Sequence, residues 1–103
     1  MRLSRRKVQA EVTKLRNWTL RGQVISRKFD FPDFRAAIHF VKRVASLAEA
    51  ANHHPDITIN YNKVRLELTT HDEGGLTMKD FKIASKINKL EVNMRKLRGV
   101  RFR

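Results

Sequence analysis

The chain has 103 residues, no cysteine, 41% hydrophobic residues and a formal charge of +13. That length supports one hydrophobic core and no second one, and the missing cysteines exclude disulfide staples, thiolate metal sites and thiol nucleophiles. No apolar run reaches the roughly 18 residues of a membrane span and no signal-peptide core is present, so the expectation is one soluble cytoplasmic domain over residues 1–103. The Arg-rich, acid-free start Met1–Lys7 shares the composition of an organellar presequence but soon meets Trp18 and a strand-like segment. The positive charge sits at the two ends. Residues 1–28 carry nine Lys or Arg against one acid, residues 79–103 nine against two, and residues 29–78 five against seven. Such ends are suited to solvated helix faces or to weak contact with nucleic acid or an acidic partner.

In chain order, Val8, Val12 and Leu15 recur at four and three and predict a first amphipathic helix over residues 4–16. Trp18-Thr19-Leu20 and Gln23 to Phe31 read as two strands turning at Gly22. Ile25, Phe29 and Phe31 fall on one side, Ser26 and Lys28 on the other, and Arg27 breaks the alternation. Asp33 suits an N-cap for a second helix with apolar Phe34, Ala37, Ile38, Val41, Val44, Ala45 and Ala48; His39 falls off this stripe and reads as surface. Asn52 and Pro55 end that helix. Ile57, Ile59 and Tyr61, then Val64, Leu66 and Leu68, alternate as a hairpin about Asn62. Gly74-Gly75 is a turn, and Thr77 opens a third helix with Asp80 as its capping-box partner and Phe81, Ala84, Ile87 and Leu90 as its stripe. The segment 94–103 is basic, contains Gly99 and shows no sustained period, which predicts a frayed or partner-dependent tail. The predicted fold is α+β, order α-β-β-α-β-β-α, an antiparallel four-stranded sheet with helices on one face. Its open edges and second face predict a homodimer or homotetramer.

The chemistry-bearing residues cluster in the centre. With pairing symmetric about Asn62, opposed residue numbers sum to 124, which sets His53 against His71 and His54 against Thr70, with Glu49 and Asp80 close by. Histidines titrate near neutrality and supply both acid and base, and a carboxylate fixes a tautomer. Each of these residues alone reads by default as an ordinary element end, and only together do they make a functional cluster an equal alternative. A metal site is disfavoured, because the adjacent pair His53-His54 does not converge easily on one ion and no helical His-x3-His spacing occurs.

The order Glu49, three residues, His53-His54-Pro55, five residues, Tyr61, nine residues, His71, eight residues, Asp80 resembles the pterin-4a-carbinolamine dehydratase family at every element. Asn62-Lys63-Val64, Leu68 to His71, Gly75-Leu76-Thr77, Trp18, Phe29-Asp30-Phe31 and Asp33-Phe34 are similar too, so the likeness covers roughly residues 12–90. It implies a dehydratase of 4a-hydroxytetrahydropterin in tetrahydrobiopterin recycling, with no metal or organic cofactor. By the same resemblance His53 and His71 are the acid/base histidines, His54 holds the pterin, and Glu49 and Asp80 support them. Asn17 stands where the family commonly has glycine before the tryptophan, a departure that concerns a turn. The rival reading is a basic module that binds nucleic acid or a partner protein as a coactivator or assembly factor. Against it stand the lack of an RNA-binding aromatic motif and the acidic character of the best-matched segment.

Overall fold

Ser4 begins the first helix, α1 (Arg5–Lys14), its hydroxyl accepting the Lys7 amide at 3.2 Å. The computed structural model describes residues 1–98. Strands β1 (Thr19–Arg21) and β2 (Val24–Asp30) follow, then α2 (Phe34–Ala51), β3 (Asp56–Asn60), β4 (Lys63–Leu68) and α3 (Met78–Arg98), with a single 3-10 turn at His71–Glu73. The sheet order is β1-β2-β4-β3 with every pair antiparallel. This is the expected α+β order and sheet.

Alternation explains which face is covered. Ile25, Arg27 and Phe29 of β2 and Val64, Leu66 and Leu68 of β4 are buried, whereas Lys28, Lys63 and Arg65 are exposed. Phe29, Phe31 and Phe40 form the centre of the core, with ring centroids 4.7 Å (Phe29–Phe40) and 5.0 Å (Phe31–Phe40) apart. Truncating a ring of this kind to alanine costs about 3–5 kcal/mol.

Two local expectations are corrected, and a third is met only in part by the described residues. In α2 the buried stripe is Ala37, Phe40, Val44 and Ala48, spaced three, four and four; Phe34 is half exposed, Ala45 is exposed, and His39 is half-buried. The stripe is thus rotated toward Phe40, the largest ring available to meet Phe29 and Phe31. In β2 Arg27 does not break the alternation: it points into the core and stacks 4.3 Å over the Phe29 ring. Helix α3 continues to Arg98 with Met94 buried, so the segment expected to fray from residue 94 is helical as far as it is described; Gly99 and the residues after it lie outside the described residues.

The hairpin register is also shifted by one. Asp56 pairs Glu67 and Ile57 pairs Leu66, so opposed numbers sum to 123, and the turn is the two-residue Tyr61-Asn62. Tyr61 takes φ 54, a left-handed conformation that tight hairpin turns demand and that tyrosine rarely adopts. Continuing this register toward the open end sets His53 opposite Thr70, and no hydrogen bond joins His53 to His71 among the described residues.

Candidate active site

Helix α2 ends at Asn52, which takes φ 50, and the amide of His53 returns to the Ala48 carbonyl at 3.1 Å. This closure fixes the backbone of His53 at the helix end. Pro55, buried, then directs the chain into β3.

Asp80 is the fixed point of the site. It lies in the first turn of α3, fully buried, and its Oδ2 accepts the Thr77 amide at 2.9 Å and the Thr70 hydroxyl at 2.8 Å. The Thr70 and Thr77 hydroxyls are themselves 2.9 Å apart. The remaining oxygen, Oδ1, meets His53 Nε2 at 2.6 Å. A buried carboxylate with both oxygens occupied in this way is held in one orientation, and it holds the imidazole in turn. With Asp80 as carboxylate, His53 Nε2–H is the donor of this bond, which leaves Nδ1 as the ring nitrogen not engaged by the carboxylate.

His54 turns the other way and meets the exposed Glu49 carboxylate, Nε2 to Oε2 at 2.5 Å. His71 opens the 3-10 turn and is exposed; the Thr70–Gly75 bridge closes that loop, with Gly74 at φ 71 making the reversal. His54 and His71 come together across a small pocket of about 100 Å³, lined also by Val24, Asp56, Glu67, Leu68 and Thr69. His53 is not part of that lining. All five predicted residues therefore lie at the junction of α2, β3, the 70–75 loop and α3. They are arranged as the pairs His53–Asp80 and His54–Glu49 with His71 across the pocket from His54. Among the described residues no group of three His, Cys, Asp or Glu is placed to hold a metal ion.

Sequence reasoning missed two features. Thr70 joins Thr77 in the Asp80 clamp, and the register partners Asp56 and Glu67 add two carboxylates to the pocket wall. The corrected register is the signal for both, since it places Thr70 beside His53 and Glu67 beside Asp56.

The chain is similar to known proteins in sequence and fold. A profile described as pterin 4 alpha carbinolamine dehydratase matches residues 1–90. A relative from Sulfurisphaera tokodaii is 44% identical over 89 residues, covering 86% of this chain and 96% of its own, and one from Chloroflexus aurantiacus is 52% identical with the same coverage. Both are provisionally named pterin-4-alpha-carbinolamine dehydratases. A crystal structure of a transcriptional coactivator/pterin dehydratase from Brucella melitensis superposes with a TM-score of 0.82 at 36% identity, covering 86% of this chain and 97% of that one. A pterin dehydratase-like protein identified as a RuBisCO assembly factor in the alpha-carboxysome shares the fold, with a TM-score of 0.62 at 20% identity over 73% of this chain and 89% of that one. With its first 90 residues matched and relatives of half-identical sequence, the chain belongs to the pterin 4 alpha carbinolamine dehydratase family.

Proposed function

We propose that the protein dehydrates 4a-hydroxytetrahydropterin to quinonoid dihydropterin and water, by histidine general acid/base catalysis and without a metal or organic cofactor, in the recycling of tetrahydrobiopterin. The observation that carries this reading is the His53–Asp80 pair, whose carboxylate is buried and triply bonded. In the reaction the C4a–O bond breaks as the oxygen takes a proton and leaves as water, while N5 loses its proton and its electron pair forms the C4a=N5 bond. One group must give a proton and another take one. Neutral His53 accepts at Nδ1 and protonated His53 donates there, with Asp80 stabilising the imidazolium. His71, exposed at the pocket, is the complementary acid or base, and His54, steadied by Glu49, holds the pterin.

The test is a direct assay of 4a-carbinolamine dehydration with purified protein against the uncatalysed rate, before and after exhaustive chelation. The expected result is catalysis that survives chelation. Loss of activity restored by zinc would overturn the metal-free mechanism, and no acceleration over the uncatalysed rate would overturn the enzyme reading. The second reading, a partner-binding role, draws support from the coactivator named in the Brucella melitensis structure; it is favoured if the assay shows no turnover.

The pocket of about 100 Å³ is smaller than the roughly 300–1,000 Å³ usual for ligand sites. Strand β3, which contributes Asp56 to it, is exposed at all five residues, with Ile57 and Ile59 more than a third exposed at the sheet edge. Association that covers this edge would enclose the site, so we propose a homodimer or homotetramer. Sedimentation at micromolar concentration checks this, and a species of only monomer mass would refute it.

A further inference from the structure

The two basic ends of the sequence are far apart in the chain and adjacent in the fold. Trp18 Nε1 donates to Asn88 Oδ1 at 2.8 Å, and Asn88 Nδ2 donates to the Arg16 carbonyl at 3.1 Å, which ties the end of α1 and its following turn to the middle of α3. Between them lies an open cleft of about 720 Å³ whose charged lining is Lys14, Arg16, Arg27, Lys89 and Arg95 against the single carboxylate Glu91. Glu91 is already committed to Arg27 at 3.0 Å and to Arg95, and Lys14 pairs with Glu11 at 3.1 Å. Arg16 and Lys89 are exposed and have no ion pair among the described residues. Leu15 and Val92 add apolar wall to the cleft, and a low-dielectric wall beside like charges concentrates their field.

From this geometry we infer a second site, independent of dehydration, that binds the phosphodiester backbone of a nucleic acid through Arg16 and Lys89. Three observations lead to a polyanion of this kind. The cleft is open to solvent, so a chain of phosphates can enter it from outside. Its cations come from two basic segments distant in the chain, Lys14, Arg16 and Arg27 from residues 1–28 and Lys89 and Arg95 from α3. One part of its wall, Glu91, Val92 and Arg95, lies just beyond the residues 1–90 matched by the family, and Arg16 and Lys89 lie within them, so the cleft joins the shared fold to the segment that follows it. It is also remote from the histidines. Residues 80 to 91 span about 16 Å of helix axis at roughly 1.5 Å per residue. With no aromatic stacking platform or base-reading element in the cleft lining, recognition is of phosphate and not of sequence.

The experiment measures binding of the full chain to a labelled short duplex and to a single strand of equal length, from about 50 to about 200 mM salt. It compares wild type with the double variant Arg16→Gln/Lys89→Gln and with a control of equal charge change on the exposed side of α2, Lys42→Gln/Arg43→Gln. The expected result is binding that weakens steeply with salt and is indifferent to sequence. For the cleft variant, losing two phosphate contacts, the slope of log K against log salt should fall by about 1.8 on duplex and about 1.4 on single strand. The control should keep the wild-type slope, and dehydration turnover should be the same in all three proteins. Equal losses in the cleft variant and the control would reduce the effect to net charge and overturn the site. So would absence of binding by wild type at the lowest salt, or capture of polyglutamate in preference to either nucleic acid, which would assign the cleft to an acidic protein.

Discussion

Helix α3 presents a buried carboxylate toward each end of its packed side, and the two hold different partners. Asp80, in the first turn, is fully buried and bonds His53, whose side chain is 12% exposed. Glu91, three turns on, bonds Arg27 in the core of the sheet and Arg95 on its own helix, both permanently charged. A carboxylate that faces an imidazole occupies one ring nitrogen and leaves the other to meet a ligand. A carboxylate that faces a guanidinium in the interior makes a fixed link between helix and sheet. Burial holds the Arg27 guanidinium below its ordinary value against the opposing attraction of Glu91, and its Nε has no partner among the described residues. In the proposed mechanism the same chemistry on one helix serves proton transfer at one end and attachment at the other.

The largest expected effect is at the attachment end. Glu91→Ala leaves a buried guanidinium with one bond, to Asn88 Oδ1, and should destabilise the protein by about 3–5 kcal/mol in chemical denaturation. Turnover per folded molecule should be unchanged. Replacing both partners, Arg27→Met with Glu91→Leu, should recover most of the loss, because apolar side chains of similar volume remove the desolvation penalty. A single-variant loss below about 1 kcal/mol would show that Arg95 and solvent compensate, and the contrast between the two ends would fail.

At the proton-transfer end the effect should be on rate. Asp80→Asn still offers an oxygen to the Thr77 amide and the Thr70 hydroxyl, but its amide group now donates toward His53 Nε2 and imposes the other tautomer. The expected result is a fall in kcat of about a hundredfold or more, within the range for a positioned acid or base, with stability altered by about 1 kcal/mol. His53→Ala and His71→Ala should each fall by a similar factor and the double variant further. His54→Ala should mainly raise KM, since a contact made equally in ground and transition states leaves kcat little changed. If His54→Ala abolishes turnover at saturating substrate while the other two behave as wild type, the division of roles among the histidines is wrong.

These two ends also differ in how far the sequence disclosed them. Asp80 was legible because its first role is local: Thr77 and Asp80 are three apart, and the Thr77 amide does bond the Asp80 carboxylate. The proximity of Glu49 to His54 followed from one helix end in the same manner. Arg27 read as an interruption of a strand because its partner Glu91 is 64 residues away, and no spacing rule connects a strand cation to a distant helix. The hairpin register was off by one because it depends on Tyr61 at φ 54, a conformation signalled by glycine or asparagine and not by tyrosine. That shift exchanged His71 for Thr70 opposite His53. Phe40 was overlooked for a related reason: helix periodicity admits several neighbouring stripes, and only the position of Phe29 and Phe31 selects one.

The smallest expected effect tests how the attachment end is preorganised. Asn17 takes φ 69, between Arg16, whose carbonyl accepts from Asn88, and Trp18, whose ring donates to the same side chain. The left-handed turn is what lets two consecutive parts of the chain reach one asparagine on α3, and it explains why the family commonly uses glycine there. An L-residue in that region is strained by roughly 1–2 kcal/mol, least for asparagine. Asn17→Ala should therefore destabilise by about 1 kcal/mol. Asn17→Gly removes the strain but gives the unfolded chain more freedom, a cost of about 0.4–1 kcal/mol that nearly offsets the gain. Its stability should stay within about 0.5 kcal/mol of wild type, read as an unmoved denaturation midpoint at an unchanged slope. Alanine matching glycine in that measurement would mean that the turn relaxes without its left-handed residue, and that the bonds to Asn88 owe nothing to it.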